Sequence, residues 1–406
     1  MSEWTKVKLG EICERVTSGG TPKANVSSYY NPPTIPWLKT KEVNYCRITE
    51  TENYISEEGL KNSSAKLISP NSVIIAMYGQ GDTAGRVAIN KIPLATNQAC
   101  CNLTIDKSKA DYEFIYYQLC TLYDKLVSLK AGAAQPNLNA RIIKNLEIIM
   151  PSLPIQHRIA TILSRYDSLI ENYQKQIKLL EEAAQRLYKE WFIDLHFPEH
   201  ENTKIVDGVP EGWEKKTIAD VCTNISSGST PSRSNKAYWE NGTIKWVKTK
   251  ELQDGWILDT EEYISQEGYN SSSTKMFPVN TILMAIYASP TLGRLGILST
   301  DCCCNQAALG LIADENIISW QWLFWKLYEL RDEFNAIARG AGQQNISGIV
   351  VKNKEIIIPD KGVIDGFTSV VSKMFEQQKS LSSQLRLLTE ARGRLLPKLM
   401  SGEITV

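Results

Sequence analysis

The sequence is poor in metal-binding and secretion signals. Its 406 residues hold only three histidines, His157, His196 and His200, and no Cys-x-x-Cys pair. A closed zinc site needs about four spaced Cys or His ligands, so no metal is expected. His196 and His200 are four apart, but Pro198 between them argues against one shared helical face. The nine cysteines are scattered or clustered as Cys100-Cys101 and Cys302-Cys303-Cys304. An odd number without a spacing pattern fits buried, reduced thiols better than a disulfide framework. No stretch approaches the ~18 apolar residues of a membrane helix, and runs such as Val73–Tyr78 suit buried strands. Met1-Ser2-Glu3-Trp4-Thr5-Lys6 lacks the apolar core of a secretory signal. The expectation is a cytoplasmic chain with no membrane segment. Net charge is also lacking, with 45 basic against 45 acidic residues. That argues against a simple basic DNA-coating protein, though not against a local basic face. Segment 201–361 carries 16 basic and 20 acidic residues, so any cationic surface there must be concentrated on one side.

What is present is a repeat. Trp37-Leu38-Lys39-Thr40-Lys41-Glu42 returns as Trp246-Val247-Lys248-Thr249-Lys250-Glu251, and Tyr54–Gly59 returns as Tyr263–Gly268. Gly19-Gly20-Thr21-Pro22 matches Gly228-Ser229-Thr230-Pro231, all at an offset of 209. The offset then becomes 208 for Thr83–Arg86 and Thr291–Arg294, Asn97–Ala99 and Asn305–Ala307, Gly132–Asn137 and Gly340–Asn345, and Ile148–Pro151 and Ile356–Pro359. So constant an offset marks a tandem duplication.

Within each copy, short apolar runs alternate with Gly, Pro, Asn and Ser turns. Val73–Tyr78, Ala99–Ile105, Ile282–Tyr287 and Ala307–Ile312 read as strands, and Tyr112–Leu129 and Ser319–Ala338 as helices. Each copy therefore opens with an α+β globule. A long helix follows. From Ile155 through Ile159, Ile162, Tyr166, Leu169, Tyr173, Ile177, Leu180, Ala184 and Leu187 to Trp191, apolar or small residues recur at steps of three and four, the pattern of a coiled-coil seam with one stutter. The same seam returns from Val363 to Leu399, with polar Gln377 and Arg392 as exceptions. The boundaries are a globule over 1–153, a helix over 154–200, a second globule over 201–361 and a second helix over 362–406. The helices are expected to pair through Ile177, Leu180, Leu187, Leu385, Leu388 and Leu395.

Catalytic signatures are scarce. Asn31-Pro32-Pro33-Thr34 is similar to the N-P-P-aromatic signature of adenine methyltransferases, but Thr34 is not aromatic and cannot stack a flipped base, so the segment reads as a turn. Gly79–Gly85 has the look of a phosphate loop. Its counterpart Ala288–Gly293 has lost two glycines and gained Pro290, which removes an amide. There is no G-x-x-x-x-G-K-[ST], G-x-S-x-G or H-E-x-x-H. Two further readings stay open: an enzyme, which would need a cofactor site not visible here, and a tandem coiled-coil scaffold whose globules bind protein partners.

The polar positions shared by both copies point elsewhere. Lys39 and Lys41 recur as Lys248 and Lys250, at an alternating spacing that puts both on one face of a strand. Thr21 recurs as Thr230, Arg86 as Arg294, Asn97-Gln98 as Asn305-Gln306, and Gln135-x-Asn137 as Gln343-x-Asn345. Such side chains read base edges and hold phosphates. Taken singly, Asn and Gln can cap turns, and Trp37 and Trp246 can pack a core. As a group they form a candidate binding face. Neighbouring polar residues Lys23, Gln80, Arg141, Arg233 and Thr291 complete it.

Several motifs resemble one family. They are the Gly212-Trp213-Glu214 entry, the Gly-[Gly/Ser]-Thr-Pro turns, and the stretches Gly132–Leu138 and Gly340–Ile346, each followed by a strand ending at Pro151 or Pro359. The most specific is Arg394-Leu395-Leu396-Pro397-Lys398-Leu399-Met400-Ser401-Gly402-Glu403-Ile404. In the first copy Arg186–Phe192 departs from this and looks like a central-region variant. The sequence resembles the specificity subunits of type I restriction–modification enzymes. The resemblance implies two target-recognition domains, each reading half of a split double-stranded DNA site. It also implies two long helices pairing antiparallel as a spacer under a pseudo-two-fold. The chain itself would have no active site and no cofactor. Two methylation subunits, carrying S-adenosylmethionine, and restriction or translocase subunits would be its partners.

Overall fold

The computed structural model describes residues 4–130, 137–287, 291–340 and 345–406. Gln135 and Gln343 lie outside the described residues. The chain divides into two compact units, one of residues 1–169 with 388–406 and one of residues 170–387.

In the first unit, strands β1 (Cys13–Ser18), β2 (Ile35–Leu38), β3 (Arg47–Ile48), β4 (Val73–Ala76), β5 (Val87–Asn90), β6 (Leu94–Thr96) and β7 (Cys100–Ile105) precede helices α1 (Tyr112–Thr121), α2 (Tyr123–Ser128), α3 (Ala140–Lys144) and the start, through Leu169, of the long helix α4 (Leu153–Phe192). A five-stranded sheet runs in the order β1-β7-β4-β5-β3. β4 and β5 are buried along their whole length, as expected for apolar runs covered on both faces. Val73, Ile75, Val87, Ile89 and Leu103 pack against Phe114, Ile115 and Leu119 of α1 in one core. β2 and β6 belong to a second, smaller sheet in which they pair in parallel.

The second unit repeats this plan with β8 (Cys222–Ser227), β9 (Ile244–Val247), β10 (Gly255–Ile257), β11 (Ile282–Ala285), β12 (Leu295–Leu298), β13 (Cys303–Cys304), β14 (Ala308–Ala313), α5 (Trp320–Glu329), α6 (Arg331–Gly340), α7 (Gly348–Lys352) and α8 (Lys361–Ser401). Its sheet order is β8-β14-β11-β12-β10. The single helices expected over Tyr112–Leu129 and Ser319–Ala338 are each broken, at Leu122 and at Leu330. These positions correspond at offset 208, so the break belongs to the fold and not to one local sequence.

The long helices bury part of the expected seam, at Ile159, Ala184, Phe367, Leu381 and Leu399, and depart from it elsewhere. Each is shared between the units and contributes to both cores. In the first, Ile159, Ala160 and Leu163 of α4 and Leu396, Leu399 and Met400 of α8 enter the globular core. In the second, Ala184 and Tyr188 of α4 join Ile364, Phe367, Val371 and Phe375 of α8. Val370 and Gln377, on the expected seam, are exposed, while Ile364, Val371, Phe375 and Gln378, one residue further on, are buried. The same displacement buries Gln156, Leu163 and Asp167 in α4. The most buried stripe is thus the one that meets a globule, because a sheet-and-helix core removes more surface from water than a second helix can. The expected pairing residues Ile177, Leu180, Leu385 and Leu388 are half-buried, whereas Leu187 and Leu395 lean on the globular cores.

Within each unit the two helix segments run antiparallel beside each other. Asp167 of α4 pairs with Arg392 of α8 at 3.1 Å in the first unit. Phe192 of α4 meets Phe367 of α8, ring centroids 5.0 Å apart, in the second. Arg392, a polar exception to the seam, is therefore explained by a carboxylate partner.

Candidate nucleic-acid interface

Strand register gathers the shared polar residues at one end of each sheet. Ser18, the last residue of β1, pairs with Cys101 near the start of β7, and Cys100 pairs with Ala76, the last residue of β4. Ile75 in turn pairs with Val87, which opens β5. The loops that carry Thr21 and Lys23, Asn97 and Gln98, and Gln80 and Arg86 therefore leave the sheet on the same side. The Leu138 amide donates to Met77 O at 3.0 Å and holds Asn137 there. Asn97 N donates to Leu38 O at 3.0 Å and places Lys39 alongside. In the second unit the pairs Ser227–Leu309, Ala285–Ala308 and Met284–Leu295, with Ile346 N on Ile286 O, gather Thr230, Asn305, Gln306, Thr291, Arg294 and Asn345 in the same way. Val247, paired with Cys304, adds Lys248. Arg141 stands exposed in the first turn of α3.

The Gly-Thr-Pro turns are locked in place. A Cβ on Gly19 would sit 2.1 Å from Thr96 O, and one on Gly228 would sit 2.1 Å from Cys304 O. Only glycine allows so close an approach of backbone to backbone. The Trp37 indole N–H donates to Gly20 O at 3.0 Å, and Trp246 donates to Ser229 O at 2.9 Å. The tryptophans thus pack the core and also brace the turn. On top of each brace a threonine hydroxyl meets a glutamine carboxamide, Thr21 with Gln98 and Thr230 with Gln306.

The lysines are arranged differently from expectation. β2 and β9 end at Leu38 and Val247, and Thr40–Glu42 and Thr249–Glu251 are 3-10 turns. Lys39 and Lys41 therefore do not share a strand face, nor do Lys248 and Lys250. Glutamate is the cause. Glu42 accepts from the Lys39 amide at 3.0 Å and Glu251 accepts from the Lys248 amide at 2.6 Å, closing the turn. The ammonium groups are also engaged. Lys39 donates to Asn53 at 2.9 Å and Lys248 to Glu262 at 2.6 Å. Lys41 pairs with Glu52, and Lys250 with Glu261. Hydrogen bonding to Glu52 holds the Lys41 ammonium above its usual pKa. Glu52 and Glu261 recur at the same offset of 209 as the lysines; that recurrence was the signal in the sequence for this pairing.

The arginines are partly committed too. Arg86 donates to Asn44 at 2.9 Å and to Asp82 at 2.6 Å, and that bond holds the Asp82 carboxyl below the usual carboxylate range. Arg233 lies 3.6 Å from the centroid of Trp239 and 2.6 Å from Glu262. Arg294 has no ion-pair partner among the described residues. The Asn97 carboxamide turns inward and accepts from the Ala99 amide at 3.2 Å, a turn cap. Thr291 donates to Tyr287 O at 3.3 Å, and Asn345 bridges to Tyr287 through the backbone. Among the described residues, no group of three or more His, Cys, Asp or Glu side chains could hold a metal ion. No described helix is long and apolar enough to cross a membrane.

Fold and site together define a duplicated recognition protein, with one polar loop face per copy. Comparison with known proteins places it more closely. The Type I restriction modification DNA specificity domain matches residues 1–182 and 210–380. The chain is 30% identical over 417 residues to the Type I restriction enzyme MjaIX specificity subunit of Methanocaldococcus jannaschii, covering 100% of this chain and 94% of that one. It is 24% identical to the HindI specificity subunit of Haemophilus influenzae, with both chains covered in full. The fold matches the crystal structure of a type I restriction–modification S subunit from M. genitalium with a TM-score of 0.69 at 17% identity, over 98% of this chain and 96% of that one. The chain belongs to the type I restriction–modification specificity family. It is a DNA sequence-recognition subunit.

Proposed function

We propose that the polar loop end of each globule is a DNA-reading face, and that the two faces read the two halves of one bipartite duplex site. One observation carries this reading. The same construction, a tryptophan brace under a glycine turn with a Thr–Gln pair on top, stands at the same sheet end in both units. Packing alone does not ask for exposed polar pairs at equivalent positions. The long helices serve as the spacer between half-sites and as the dock for two methylation subunits. Those subunits carry S-adenosylmethionine, and restriction or translocase subunits complete the enzyme. The charge pairing supports a division of labour. With most lysines and arginines of the face committed to carboxylates or amides, the partners supply much of the phosphate clamp, and this chain supplies the base readout.

The test is selection of random duplexes by the full chain assembled with its methylation subunits. The expected result is enrichment of two fixed half-sites separated by a gap of constant length. Retention of duplexes without sequence preference would overturn the reading.

A further inference from the structure

The polar groups of the loop face are not equally available. Lys41, Lys248 and Lys250 are held by carboxylates, Arg86 by Asp82, and Arg233 by Glu262. The Asn97 carboxamide oxygen accepts from the Ala99 amide and so is committed to its own turn. Gln80 is exposed, and among the described residues it engages Thr83 through its backbone carbonyl, which leaves its carboxamide unaimed. Gln98 and Gln306 differ from all of these. Each is at the surface, and each has its amide oxygen fixed by one threonine hydroxyl across a separation of 77 or 76 residues.

We infer that Gln98 and Gln306 are the paired base readers of the two globules, each recognising an adenine edge, and that Thr21 and Thr230 are the positioning residues that aim them. This rests on the DNA-reading role proposed above. The chemistry follows from the donor count. A carboxamide oxygen has two lone pairs and the nitrogen two hydrogens. The threonine takes one lone pair, which leaves one acceptor and the N–H donors facing outward. An adjacent acceptor and donor match the N6–H and N7 of adenine in the major groove. Holding the side chain beforehand removes much of the rotamer freedom that a glutamine otherwise loses on binding. A surface hydrogen bond between two side chains does little for folding. Its presence in both copies, on the same braced turn, is accounted for by aiming.

The experiment uses the full chain with its methylation subunits and a random duplex pool, with retained sequences read out. In Gln98→Ala, discrimination at one A·T position of one half-site should fall roughly tenfold, the scale of a lost bidentate contact. In Gln306→Ala the loss should fall in the other half-site. In each variant the untouched half-site reports that the chain is folded. Thr21→Val should relax the same position as Gln98→Ala, and Thr21→Ser should restore it. Unchanged preferences in both glutamine variants, or a uniform loss across both half-sites, would overturn the assignment. If the unaltered complex shows no sequence preference at all, the DNA-reading role itself fails.

Discussion

Replacing Arg47 should loosen the first unit far more than any surface arginine would. Arg47 donates to Asp167 at 2.8 Å, to Glu113 at 2.5 Å and to the Tyr117 hydroxyl at 2.8 Å. The side chains of Arg47, Asp167 and Glu113 are 9%, 10% and 13% exposed. Arg47→Ala leaves two buried carboxylates short of a partner, a change that costs about 3–5 kcal/mol. Glu113 keeps Lys91 at 2.9 Å, and Asp167 keeps the Tyr117 hydroxyl at 2.6 Å and Arg392 at 3.1 Å, which points to the lower end, about 3 kcal/mol. The second copy supplies the control. At the positions equivalent to Arg47, Glu113, Tyr117, Asp167 and Arg392 it carries Trp256, Gln321, Trp325, Phe375 and Ala184. There the Trp256 indole donates to Phe375 O at 3.1 Å, and Trp325, Phe324 and Phe375 pack edge to face. The same anchor for a long helix is thus built once with ions and once with rings. Transplanting all five residues into the first unit should recover most of the loss, because well-packed apolar groups replace a buried ion network at little or no cost. Urea denaturation followed by hydrogen exchange on peptides of residues 4–169 separates this unit from the other. A loss below about 1 kcal/mol for Arg47→Ala, or a five-residue transplant as unstable as the single change, would refute the reasoning.

Three further outcomes follow from the same geometry. Changing Glu52 and Glu261 to Gln frees Lys41 and Lys250, so DNA affinity at low salt should rise, and the dependence of log K on log salt should steepen by up to ~0.9 for each phosphate gained; an unchanged slope would remove these lysines from the interface. Burial pushes the thiols of Cys13, Cys101 and Cys222 up from 9.0 to about 12, so they stay protonated in the fold while the unfolded chain ionises near 9. Their contribution to stability is present below pH 9 and is lost as pH rises from 9 towards 12, and denaturant midpoints that do not fall over that range would contradict it. Inserting a copy of Gln174–Ile177 after Ile177 lengthens α4 by ~6 Å, which should widen the favoured gap between half-sites by one or two base pairs without changing their bases. Altered half-site bases with an unchanged gap would count against the spacer.

Some of this protein is legible in the amino-acid sequence alone. The duplication, the α+β content and the long 3-4 periodicity are properties of residues near one another in sequence or repeated at one offset. Glycine at positions 19 and 228 and the tryptophans at 37 and 246 mark the turn and its brace, because close backbone approach and ring packing demand particular residue types. The tertiary structure decided the rest. The buried helix stripe takes in seam residues such as Ile159, Ala184, Phe367 and Leu399 and widens one residue beyond the seam, since the face a helix hides depends on the surface docked against it. Lys41 and Lys250 point to the reading face by type, yet each meets a glutamate brought over by its own hairpin. Tyr45 and Tyr123 stack edge to face at 6.5 Å in one unit, while Asp254 and Arg331 form an ion pair at the equivalent positions of the other. Arg47 and Asp167, 120 residues apart, show no mark of each other in the sequence. Whether a charge is free, paired or buried depends on which distant groups share its volume, and only the folded chain brings those groups together.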